Sequence, residues 1–203
     1  MKLIRLSRMS KIYIDDNNLI VKDSPVNTFD IEAYRKLYNS VDFLVNIISY
    51  EEKDEPHPDY LQDGSQWRND DRWCSYITMT MEKIEEPNIT IEKYIKEMSL
   101  PDRIRTYSII FSKIIPELIE FSQPDTSIKQ SIDRSAKLYF HEDLHPANMF
   151  INPSTNKITI IDPDSFLWLK PEVVRDMLYR IYGDFIRHCF MPDWPENPRT
   201  VIS

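Results

Sequence analysis

Glycine is nearly absent from this 203-residue chain: Gly64 and Gly183 stand alone against 14 prolines. Glycine lets a backbone turn tightly and lets a phosphate come close, because it carries no Cβ. A glycine-rich phosphate loop of ordinary composition is therefore excluded, and tight turns fall to residues such as Asp and Asn. The first is Asp15-Asp-Asn-Asn18, between the β-prone runs Lys11–Ile14 and Leu19–Lys22, and the whole reads as a hairpin.

Hydrophobic residues make up 41% of the chain and charged residues 29%, enough apolar material to bury a core and too much for a disordered polyelectrolyte. The length suits one domain or two small lobes sharing one core. A formal charge of -8 argues against a nucleic-acid partner, which is held by clustered Lys and Arg. Cys74 and Cys189 lie far apart with no C-x-x-C spacing, which suggests neither a disulfide framework nor a thiolate metal site and suits a reducing cytoplasm. The start, MKLIRLSRMSK, lacks the apolar core of a signal peptide, and no apolar run approaches the roughly 18 residues that span a bilayer. The expectation is a cytoplasmic protein with no membrane partner; the oligomeric state stays open.

Apolar positions Ile31, Tyr34, Leu37 and Tyr38 predict a helix over Thr28–Tyr38, capped by Thr28 or Asp30. Val41–Tyr50 and Cys74–Ile84 are β-prone and flank a polar loop, Glu51–Asp71. Beyond Pro87, Thr90 caps a predicted helix through Met98. A second helix runs from Pro101 to Phe121, with Pro116 set to kink or shorten it. Leu138–Phe140 and Lys157–Ile161 are strand candidates, Pro171–Cys189 reads as a last amphipathic helix, and the tail from Met191 shows little periodicity. The order predicts an α+β chain with a β-rich first part, residues 1–86, and a helical second part, residues 87–203.

The chemistry concentrates in Phe140-His141-Glu142-Asp143-Leu144-His145-Pro146-Ala147-Asn148 and in Ile161-Asp162-Pro163. Phosphoryl transfer asks for a carboxylate that orients the attacking hydroxyl and for hard oxygen ligands to magnesium. Asp143 supplies the first, and Asn148 and Asp162 the second. His141 and His145, four apart with Pro146 adjacent, do not share a helix face and make a poor zinc pair.

The pattern H-x-D-L-H-P-x-N, with I-D-P fourteen residues on, resembles the catalytic loop and metal-binding motif of the protein-kinase-like phosphotransferases. His145, two residues after Asp143, is similar to the aminoglycoside and choline phosphotransferase branch. Asp162-Pro-Asp-Ser-Phe166 resembles the D-P-x-S-F of the early protein kinases of short-tailed coliphages. The resemblance implies a minimal two-lobed kinase-like fold, with a small β-rich N-lobe and a helical C-lobe, and ATP with Mg²⁺ (or Mn²⁺) as cofactors. It aligns Lys22 with the lysine that grips the ATP phosphates, Glu32 or Asp30 with its ion-pair partner, and Ser7 and Ser10 with the phosphate-covering turn. Tyr76–Ile84, with Glu82 and Ile84 at its end, aligns with the strand and hinge that hold adenine.

His141 is expected to brace the loop, and His145 either to support it or to meet phosphates. Lys22 could instead be an ordinary edge-strand lysine, and Glu32 a helix-first-turn acid. The expected function is an ATP-dependent kinase that transfers the γ-phosphoryl group to a hydroxyl on a protein Ser or Thr. Two alternatives stand: a phosphotransferase acting on a small hydroxyl-bearing acceptor, which the acidic stretch Glu51–Asp63 would draw if cationic, and a pseudokinase serving as an interaction module.

Overall fold

The hairpin forms because Asp15 closes it from within. Its Oδ1 accepts from the amides of Asn17 (2.9 Å) and Leu19 (2.8 Å), and Asn18 takes a left-handed φ of 63°. Asn adopts that region at less cost than most residues, so the missing glycine is replaced in kind. The computed structural model describes residues 2–6, 10–25, 29–53, 76–122 and 137–191. Ser7, Thr28, Cys74 and most of the polar loop and tail lie outside them.

The hairpin strands are β2 (Lys11–Ile14) and β3 (Ile20–Pro25). With β1 (Lys2–Leu6), β4 (Ile47–Lys53) and β5 (Tyr76–Met81) they build an antiparallel sheet in the order β1-β2-β3-β5-β4. β3 is thus the central strand, with Lys22 between Ile12 and Met79. The edge-strand reading of Lys22 falls with that placement. Helix α1 (Ile31–Tyr38) is capped by Asp30, whose Oδ1 accepts from Ala33 N at 3.0 Å, and it buries Tyr34 and Leu37. Of the predicted run Val41–Tyr50, the first half is not a strand of this sheet. Phe43–Val45 instead grips Ile160 through two backbone bonds of 2.7 and 3.1 Å, tying the sheet to the second half of the chain.

That half begins with β6 (Ile89–Thr90) and α2 (Ile91–Tyr94). α2 stops short of the predicted Met98: Thr90 stands at the cap position but makes no side-chain cap bond, and its buried Oγ1 has no hydrogen-bond partner among the described residues. α3 (Leu100–Ile109) passes through a π-helical turn, Ile110–Ile114, into α4 (Ile115–Phe121). Pro116 has no N–H to continue the ladder, and Ile115 N reaches five residues back to Ile110 O, so a widened turn absorbs the expected kink. Then come β7 (Leu138–His141), β8 (Met149–Ile151), β9 (Ile158–Ile160), β10 (Phe166–Leu169) and α5 (Pro171–Phe190). β7 pairs with β10, and β8 lies between β6 and β9. Strands β6, β8 and β10 go beyond the sequence expectation, being two to four residues long and too short to show a period.

The chain is therefore α+β, and one buried cluster links its halves, from Tyr34 and Met79 through Ile110, Leu118 and Phe140 to Ile181. Phe166 is wholly buried at its centre, 5.4 Å from the Tyr34 ring, 5.7 Å from Tyr139 and 4.9 Å from His141. Among the described residues no helix is long and apolar enough to cross a membrane. Phe166→Ala is expected to cost about 3–5 kcal/mol, the range for emptying a packed aromatic site, measured as a lowered urea midpoint with unchanged m-value.

Candidate active site

Strand β7 ends at His141, whose ring hydrogen bonds fix the course of the loop beyond it. The ring is fully buried; Nδ1 accepts from Asp143 N at 3.2 Å and Nε2 meets Ile161 O at 3.0 Å. An amide only donates and a carbonyl only accepts, so the imidazole is neutral with its proton on Nε2. Burial holds its pKa below the ordinary 6.5. His141 therefore braces the loop, as expected, by fixing the Asp143 backbone to the residue before Asp162.

His145 works the same way one turn later. Its Nδ1 accepts from Ala147 N at 3.2 Å, capping the 3₁₀ turn Pro146–Asn148, and its Nε2 lies 3.2 Å from Asp143 Oδ2. Asn148 Nδ2 donates to the same oxygen at 3.1 Å and to Asp143 O at 3.0 Å. The Asp143 carboxyl is thereby aimed, and the hydrogen bond from His145 is the chief reason its pKa lies below the usual carboxylate range. Its Oδ1 accepts from no described residue, and neither does Asn148 Oδ1 bond to one.

Lys22 arrives from the central strand and donates to Asp162 Oδ1 and, at 2.6 Å, to Asp164 Oδ1. Ser24, two residues on and so on the same face of β3, donates to Asp164 Oδ2 at 2.7 Å, while Ser165 Oγ donates to Asp162 Oδ2 at 2.9 Å. Lys22 is 5% exposed. Burial alone would lower its pKa, but Asp164 and Asp162 outweigh burial and raise it; for Asp162, burial is likewise overcome by Lys22, and its pKa is lowered. Asp162 sits at φ 68° and ψ 57°, a left-handed conformation uncommon outside glycine and enriched at functional sites.

Glu32 does not meet Lys22. It lies in the exposed first turn of α1 and pairs with Arg35 at 3.3 Å, because the inward face of that helix belongs to Tyr34 and Leu37. Asp30 is not the substitute either: it caps α1 and accepts from Trp168 Nε1 at 3.1 Å. The partner that sequence reasoning missed is Asp164, whose only signal was a second acid two residues after Asp162. Ser10 stands just before β2, and Ser7 lies outside the described residues. Glu82 N donates to Asn46 O at 3.2 Å, and Glu82 and Ile84 line a cavity of about 500 Å³ that contains neither Lys22 nor Asp162.

A second cavity, of about 650 Å³, opens between the loop and α5, with Asp143 and His145 on one wall and Arg180, Gly183 and Arg187 on the other. Among the described residues no three His, Cys, Asp or Glu side chains converge as a metal cluster. Asn148 Oδ1 and the Asp162 carboxylate are nonetheless hard donors, linked by the Ile161 N to Asn148 O bond of 3.0 Å. They suit magnesium, which keeps several waters and binds through one or two protein oxygens plus phosphate. Compared with known proteins, the chain matches no family model and no curated sequence.

The Lys22 cluster sets a pH test. A lowered Asp162 pKa stabilises the fold above its ordinary 3.8 and loses effect as pH falls through the folded value; the raised Lys22 pKa stabilises below 10.5 and loses effect as pH rises through its own. Lys22→Met, which strands two carboxylates, should cost about 3–5 kcal/mol at neutral pH. Urea titrations toward pH 4 should show that deficit shrinking as Asp162 is protonated; a constant deficit would mean that its charge does not carry the effect.

Proposed function

We propose that this chain is an ATP-dependent phosphotransferase of the protein-kinase-like type, its five-stranded sheet and α1 acting as the small lobe and the rest as the large one. The observation that carries the reading is the convergence of Lys22, from the central strand, on Asp162, 140 positions away and beside the loop that aims Asp143. A cation, a metal-binding acid and an oriented carboxylate are the parts phosphoryl transfer requires. In this reading Lys22 holds the phosphates of ATP, and Asn148 and Asp162 hold Mg²⁺ or Mn²⁺, which neutralises phosphate charge when bound. Asp143 Oδ1 receives the acceptor hydroxyl. The hydroxyl oxygen forms a bond to the γ-phosphorus, the bond from that phosphorus to the ADP oxygen breaks, and the proton leaves by way of Asp143 to water.

The acceptor in the first reading is a Ser or Thr hydroxyl on a protein. A small hydroxyl-bearing acceptor is favoured by the 650 Å³ cavity at Asp143, within the range of small-molecule sites. The short path from Asp162 to α5 favours it too, since it holds only the 3₁₀ turn Pro163–Ser165 and β10.

Thermal shift with Mg-ATP separates an enzyme from an interaction module. Ligand at 100 times its Kd stabilises the native state by about 2.7 kcal/mol, and no shift at millimolar Mg-ATP would favour the module. With labelled ATP, Asp143→Asn should keep nucleotide binding while turnover falls about 10²–10⁴-fold, whereas Asp162→Asn should weaken Mg-ATP binding itself. Wild-type turnover in Asp143→Asn would remove that residue from the chemistry.

A further inference from the structure

Helix α5 turns one stripe toward Asp143. Positions 177, 180, 184 and 187 follow the three- and four-residue spacing that shares a helix face, and all four line the cavity with Gly183. Gly183 is unusual twice over. It is one of only two glycines in the chain, and it sits in a helix interior, where glycine is disfavoured against alanine. No packing demands it: a Cβ there would meet nothing within 4 Å. What its missing side chain does is keep the cavity wall open.

The charges of the lining are mostly spoken for. Asp143 is held by His145 and Asn148, and Asp184 accepts from Arg187 at 2.5 Å. Arg180 has no hydrogen bond or ion pair with any described residue. Glu142 is the remaining acid, and burial with the neighbouring charge of Asp143 disfavours its ionised form. An acceptor entering this cavity meets an unengaged guanidinium, whose planar fork suits carboxylate and phosphate oxygens. A cation would meet that same guanidinium.

Resting on the phosphotransferase reading, we propose that the acceptor is a small alcohol carrying a carboxylate or phosphate, its anion held by Arg180 and its body lying over Gly183, with the hydroxyl at Asp143. This departs from the cationic acceptor that the acidic stretch Glu51–Asp63 suggested.

The test uses the full chain with Mg²⁺ and matched acceptors: glycerol, glycerate, glycerol 3-phosphate and choline. Transfer is read from labelled ATP, and binding by ligand-observed NMR with a non-hydrolysable ATP analogue. Glycerate or glycerol 3-phosphate should exceed glycerol by about 10- to 100-fold, the worth of one charge-assisted hydrogen bond, and the better anion identifies the group. Arg180→Ala should bring that ratio close to one, and Gly183→Leu should block the acceptor while the Mg-ATP thermal shift stays. Equal or better use of glycerol or choline, a ratio unchanged in Arg180→Ala, or no binding of either anion at millimolar concentration overturns the proposal. Selective anion binding lost in Arg180→Ala, with no transfer to any acceptor, would uphold the anion site and remove the phosphotransferase reading; transfer without charge preference would do the reverse.

Discussion

The burial of one ammonium group organises this molecule. Lys22 lies in the middle of a five-stranded sheet, and removing such a charge from water costs several kcal/mol unless partners and hydrogen bonds offset it. The offset comes from Asp162 and Asp164, both held in turn by serine hydroxyls. For both acids to reach one nitrogen, the chain at Asp162 must reverse sharply, which it does in the left-handed region before Pro163. The sheet and the loop that carries Asp143 are thus joined by charge as well as by the apolar contacts around Phe166.

Two neutral histidines then carry precision from that junction to Asp143. Each accepts from a nearby loop amide on Nδ1 and turns Nε2 to an oxygen, His141 to the Ile161 carbonyl and His145 to Asp143. A protonated ring could not accept those amides. The loop geometry therefore depends on imidazoles that stay uncharged, which burial enforces for His141.

Much of this was legible in the sequence, and the failures share a cause. The hairpin, α1 and α5 showed because turn chemistry and helical period are local signals. Asp143, Asn148 and Asp162 stood out as candidates because their spacing is a pattern, and the structure joins Asn148 to Asp143 and to the residue before Asp162. Which acid meets Lys22 is not local: Glu32 was the nearer candidate along the chain, but the answer depends on which face of α1 the core claims and on a turn 140 residues away. The strands of two to four residues, the π turn before Pro116 and the cavity over Gly183 likewise exist only once distant segments meet.

Scarce glycine also bears on the phosphotransferase reading. The connection from β1 to β2, Leu6-Ser-Arg-Met-Ser-Lys11, contains none, so no bare backbone can close over phosphates there. Lys11 stands opposite Asp23 in the sheet, both buried. The weight of phosphate binding in the phosphotransferase reading falls on Lys22, already engaged by two acids. Lys22 can turn to an incoming phosphate only as Asp162 finds another cation. In that reading nucleotide and magnesium would bind as one, because without the metal a polyphosphate would have to compete with two carboxylates for the same ammonium.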